Sequence, residues 1–252
     1  MSRAWVIFKR IGRLLKFLLF CVILTVCILL LWRVLSTGIP KEIKGLDAND
    51  KLKASYGKAI SDNKELYVFK QVYDNINKDE KTKGYFGISD ARFIPDANQA
   101  QIVFRYNNST ITALANDYSL PSIPAKNEDL FDVSLVLYIG ERPEDESQEI
   151  TKENAEGIKA VRVTPQPEPQ KAYSTLYSFY RYTFNFENAE EPVDINELLK
   201  SKTLISVHVE IYYKGDVDYS SNAYGALSIY DYRRENVAKE LSKNEKKALG
   251  GK

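Results

Sequence analysis

Two periods of hydrophobicity divide the chain. From Phe17 to Trp32 it reads FLLFCVILTVCILLLW, without a charge and closed by Lys16 and Arg33. Such a run predicts a helix that prefers hydrocarbon to water. Farther on the period falls to two. In residues 203–213, Ile205, Val207, Val209, Ile211 and Tyr213 alternate with Leu204, Ser206, His208, Glu210 and Tyr212. That is the signature of a half-buried strand. Residues 101–106, 132–139 and 175–187 show the same alternation, and the last is long enough to cross a whole sheet. Shorter runs at 66–72, 85–88, 110–114, 159–163 and 224–230 read as further strands.

Turn-rich segments separate these runs: Asp96-Ala97-Asn98, Asn107-Asn108, Pro121 to Pro124, Gly140 to Ser147, and Pro165 to Pro169. Many short strands with polar turns between them predict a mainly β domain, an antiparallel sandwich with a barrel as its nearest competitor. Three helical pieces flank it. Asp47, Asn49 and Asp50 are candidate N-caps for a juxtamembrane helix carrying Leu52, Tyr56 and Ile60. Asp194 and Glu197 open a short turn of helix resembling a capping box. The charged tail from Arg233 has only Val237, Leu241 and Leu249 as large apolar residues, and predicts a frayed surface helix.

The expected organisation is a basic cytoplasmic tail (1–16), a transmembrane helix (17–35), a linker (36–46), a β-sandwich ectodomain (47–232) and a charged tail (233–252). Lys16, Phe17, Trp32 and Arg33 are the anchor residues, the two cations snorkelling and the aromatics sitting at the interfaces. Five cations precede the apolar run, whereas only Arg33 and the mixed Lys41-Glu42-Lys44 follow it closely. The positive-inside rule then places the N-terminus in the cytoplasm and the β domain outside a cell membrane. A cleaved signal peptide is the rival reading, disfavoured by the length of the run and by Arg33 near the supposed cut.

Charge changes the picture of partners. Residues 1–37 hold six basic residues and no acidic one, which leaves 29 basic against 34 acidic residues elsewhere, a net of −5. A mildly acidic domain is a poor match for nucleic acid. Both cysteines, Cys21 and Cys27, lie in the apolar run, so no disulfide is available to the exported domain. At this length a core alone suffices, and the pattern points to a bacterial envelope.

No motif assigns a reaction or implies a cofactor. His208 is the single histidine, which excludes a multi-histidine metal centre. Ser61-Asp62-Asn63-Lys64 matches S-x-x-K, but one serine would serve two motifs of the penicillin-recognising enzymes and the third motif is broken. Asp216, Asp218, Ser220 and Asn222 alternate like the opening of a calcium loop. Ser221 and Leu227 occupy the positions where an EF-hand needs glycine and glutamate, leaving at most a looser calcium site. Tyr177, Phe179 and Arg181 share the less buried face of the long strand, where an aromatic row would stack on sugars or dock a protein. The expected function is a non-catalytic, membrane-tethered module binding an envelope protein or glycan near the bilayer, as a subunit of a membrane assembly; the alternative is an envelope hydrolase acting on glycans or peptides.

Overall fold

The computed structural model of the chain describes residues 3–70, 85–142, 157–166, 168–216, 223–233 and 238–251. Helix α1 (Arg3–Thr37) is continuous through the apolar run and beyond it at both ends. Nothing breaks it before Gly38-Ile39-Pro40, where proline has no N–H to give and glycine little helix propensity. Its apolar part, Gly12–Arg33, has a mean hydropathy of 3.0 and none of it is buried by the rest of the chain. Its 22 residues rise about 33 Å, long enough for a hydrocarbon core of about 30 Å. The Thr25 hydroxyl donates to Cys21 O at 2.9 Å, so the polar side chain of the run is satisfied within the helix.

The rest is a mixed α and β structure with two antiparallel sheets. Helix α2 (Asp50–Ser61) is capped by Asn49, whose side chain accepts from Leu52 N at 2.9 Å. Among the described residues ten strands follow with three more α-helices among them: β1 (Tyr67–Lys70), β2 (Phe86–Ile94), β3 (Gln99–Asn107), α3 (Asn108–Asp117), β4 (Phe131–Ile139), β5 (Lys159–Val163), β6 (Gln170–Tyr173), β7 (Tyr177–Asn185), α4 (Ile195–Lys200), β8 (Leu204–Tyr213), β9 (Gly225–Asp231), β10 (Ala238–Glu240) and α5 (Lys243–Ala248). One sheet has the order β10-β1-β2-β3-β7-β6 and the other β5-β4-β8-β9. Phe104, Tyr180, Tyr182 and Phe184 of the first join Phe131, Leu135, Leu137, Val207 and Val209 of the second in one buried cluster. Phe131 ties the sheets together, its ring 5.2 Å from that of Phe86 and 5.1 Å from that of Tyr106, edge-on to both. Such aromatic contacts add about 1 kcal/mol each beyond simple burial.

A second cluster lies at the β10 end of the larger sheet. Leu52 and Tyr56 of α2 meet Leu66, Val68 and Ile94, and Leu241 and Leu249 from the C-terminal segment complete it. Arg92, 7 % exposed, joins Asp90 at 2.7 Å and also bonds to Glu245 of α5. The C-terminal segment is thus held to α2 by burial and to β2 by a salt-linked hydrogen bond.

Several expectations need correction. Residues 110–114 form part of α3 and not a strand, because Asn107 accepts from Thr110 N at 3.0 Å while Asn107 N donates to the Thr110 hydroxyl at 3.3 Å. This capping box starts a helix that buries Ile111, Leu114 and Ala115, at helical spacing. Ile60 is 56 % exposed, since eight residues of helix turn it about 80° away from Leu52. The tail is not a single frayed helix: it contributes β10 and then α5, whose start is capped by Ser242 and Glu245. Strand β6 was not expected, as it follows a proline-rich turn and buries only Ala172.

Candidate functional site

The residues between α1 and α2 do not hang free. Ile43, at 1 % exposure, packs on Val103, Ala172 and Phe179, the outward side chains of β3, β6 and β7. Polar contacts continue the attachment: Asp47 N donates to the Gln101 side chain at 2.7 Å, Gln101 returns a bond to Asp47 O at 2.9 Å, and Arg181 donates to Gly45 O at 3.2 Å. The Arg181 guanidinium also lies 3.7 Å from the Asp47 carboxylate. Burial lowers the pKa of Arg181, opposed by the Asp47 charge.

This attachment corrects the expectation of an exposed aromatic row. Phe179 is fully buried, Arg181 is buried, and Tyr177 is half-buried beneath the Arg105 guanidinium, 4.7 Å from its ring. Ile43 covers the apolar part of the strand's outward face, at Phe179. Alternation in the sequence identified the face, but a contact over more than a hundred residues of chain decided what covers it.

A cleft of about 920 Å³ opens elsewhere, on the side of the molecule where β5 ends and β6 begins. Phe131, Val133 and Ser134 of β4 form one wall, with Tyr212 and Lys214 at the end of β8. The connection through Thr164, Pro165 and Gln166 to Pro169 forms the other, and Tyr182 lies in the depth. Glu168 on this connection holds φ at +82°, a left-handed conformation that costs a non-glycine residue about 1–2 kcal/mol.

Most of the charged groups around the cleft are engaged in ion pairs. Lys214 lies 2.8 Å from Asp129 and 3.3 Å from Asp132, and Lys171 lies 3.7 Å from Asp129. Burial acts to lower the pKa of Lys214, but the two carboxylates outweigh it and hold the ammonium above its ordinary value. At the other end Arg162 donates to the Tyr212 hydroxyl at 2.9 Å and to Glu210 at 3.4 Å, and Tyr212 donates to Glu210. Burial, with Glu210 beside it, pushes the Tyr212 phenol above its ordinary range. Tyr138, also buried near Glu210, is pushed up to about 12. These phenols stay neutral donors at physiological pH.

The remaining candidate residues are scattered over the chain. His208 and Glu210 lie on the side of β8 expected to be solvated, yet they are 7 % and 3 % exposed. The His208 ring packs 4.9 Å from that of Tyr138. Of the calcium-loop set, Asp216 accepts from the Tyr118 hydroxyl at 3.0 Å, while Asp218, Ser220 and Asn222 lie outside the described residues. Among the described residues no group of three His, Cys, Asp or Glu side chains is placed to hold a metal. Ser61 ends α2 with its hydroxyl donating to Gly57 O at 3.0 Å. Lys16, Phe17, Trp32 and Arg33 all lie on the exposed surface of α1. The cleft was not legible in the sequence, because its walls come from five separate segments; the run Pro165 to Pro169 was the one local signal. No protein-family model, curated protein or solved structure matches the chain.

Proposed function

We propose that this protein is a single-pass membrane protein of the cell envelope, cytoplasmic at its N-terminus, whose exported β-sandwich binds another envelope component close to the bilayer without catalysing a reaction. The cleft bounded by β4, β8 and the β5–β6 connection is its binding site. The observation that carries this reading is the docked segment between α1 and α2. With Ile43 buried and Asp47 bonded to Gln101 and Arg181, the domain starts within a few residues of the apolar helix. A domain so held cannot reach far from the membrane surface, because the unattached chain is too short. It suits a subunit of a membrane assembly.

Binding is favoured over hydrolysis by the engagement of three of the carboxylates at and beside the cleft, Asp129, Asp132 and Glu210. A catalytic carboxyl pair needs one member poised as an acid and the other free to act on water or substrate. Here Asp129 and Asp132 share Lys214, and Glu210 is engaged by Arg162 and Tyr212. Such groups position a ligand and discriminate against the wrong one more readily than they exchange protons.

The test is site-directed photocrosslinking of the full-length protein in its native membranes. A photoreactive residue at Gln166, exposed on the cleft wall, is expected to give a discrete adduct that the same residue at Ser61 does not. Adducts with lipid alone at position 166 would overturn the assignment of the cleft.

A further inference from the structure

A row of free N–H and C=O groups is a template for another strand, and proteins usually pair, charge or cover it. Strand β4 is paired with β8 along its whole length, from Phe131 to Ile139. On its other side β5 pairs with it only from Leu135 to Ile139. The chain leaves this sheet after Val163 and crosses to the other, where Gln166 N donates to Thr183 O at 2.8 Å. Residues 131–134 are left with one bare side, and that side lines the cleft.

Hydrogen-bond parity identifies the bare groups. Lys214 N donates to Leu130 O at 3.0 Å. In an antiparallel ladder the backbone groups alternate between the two sides, so residues 130, 132 and 134 turn theirs toward β8. Phe131 and Val133 turn theirs toward the cleft, in phase with Leu135 opposite Val163. Among the described residues, no backbone or side-chain group bonds to the N–H or C=O of Phe131 or Val133. An unmet buried backbone group is costly, and a ligand that meets it is favoured accordingly.

We infer that this gap takes an extended segment of a neighbouring polypeptide, which adds to β4 as a strand in line with β5; the inference rests on the cleft being the binding site. Donors and acceptors repeating every second residue complement a peptide backbone, which has the same repeat, better than the irregular hydroxyls of a glycan. The gap is short and recessed, so it admits a single extended chain and not the edge of a second sheet. Asp129, Asp132, Glu168 and Glu190 face Arg162, Lys171 and Lys214 around the cleft, so neither sign dominates. The segment therefore has little net charge, and its alternate side chains meet Tyr182 on one side and Tyr212 on the other.

Panning a displayed library of random linear peptides against the full-length protein in nanodiscs supplies the probe. Binders are then resynthesised with single N-methylated amides. Strand addition predicts a two-residue pattern: methylation at alternate positions weakens binding about tenfold or more, and methylation between them leaves it nearly unchanged. Hydrogen exchange at the amides of Phe131 and Val133 slows when the peptide is added. Val133→Pro removes a donor that faces the cleft and leaves the β8 ladder intact, so it abolishes peptide binding. The N-methyl series decides the matter even if this variant folds poorly. Binding insensitive to backbone methylation, or unchanged exchange at both amides, overturns the inference. Peptidoglycan fragments that bind the cleft when no peptide does would overturn it while leaving the cleft as a binding site. Lipid adducts alone at position 166 would remove both.

Discussion

At the scale of single residues, geometry that is invisible in composition sets the behaviour of this chain. Gly45 has φ of +94° with open space around it, and its carbonyl receives the Arg181 guanidinium. Gly45→Ala introduces backbone strain of about 1 kcal/mol without a steric clash. The segment between α1 and α2 is expected to loosen, giving faster tryptic cleavage at Lys41 and Lys44 with little change in the thermal midpoint of the domain. Glu245 makes a pH-dependent contribution. Burial favours its neutral form, but hydrogen bonds from Ser242 and the Arg92 guanidinium outweigh that and hold the pKa below its ordinary 4.5. A folded-state pKa below the unfolded one means stabilisation that is complete at neutral pH and is lost as pH falls from about 4.5 through the folded value. Glu245→Gln should lower the thermal midpoint at pH 7 and flatten its decline below about 4.5, as read by circular dichroism.

At the scale of elements, capping and pairing outweigh simple apolar patterns. Residues 110–114 read as a strand by pattern alone, and the hydrogen bonds exchanged by Asn107 and Thr110 make them a helix. Asn107→Ala removes one half of that box and is expected to cost about 1 kcal/mol, seen as a lower urea midpoint with an unchanged slope. The long strands were legible because half their side chains enter one core: residues 132–139, 175–187 and 203–213 correspond to β4, β7 and β8 within a residue or two at each end. Edge strands β6 and β10 were not, since a short edge strand buries little and needs no alternation. Phe131→Ala tests the junction of the sheets. Loss of a buried ring touching both layers should cost about 3–5 kcal/mol, and the near-ultraviolet signal of the surrounding tyrosines should weaken.

At the scale of the whole molecule, the apolar helix and the β domain are closely tied because the segment between them is docked. The orientation is tested by a reporter fused after Lys252: alkaline phosphatase should be active there and a cytoplasmic fluorescent protein dark. External protease should remove the domain from intact protoplasts and leave a fragment containing α1. The interior of the domain is laid out so that the large sheet is shielded outside by the α1–α2 segment, α2 and the C-terminal residues. The smaller sheet leaves one notch where β5 departs, and there the cleft forms.

The linear order of residues determined the apolar helix, the asymmetry of charge around it and the main strands. Each follows from free energies that act locally or on one repeating face: transfer of an apolar run from water, and burial of alternate side chains. Only the tertiary structure decided that Ile43 covers Phe179, that Leu241 and Leu249 return to Leu52, and that β4 has a bare stretch beside Tyr212. Those outcomes depend on which distant segments meet and where one strand stops short of its neighbour. Contacts of that kind are chosen by the packing of the whole chain, and no short window of sequence carries them.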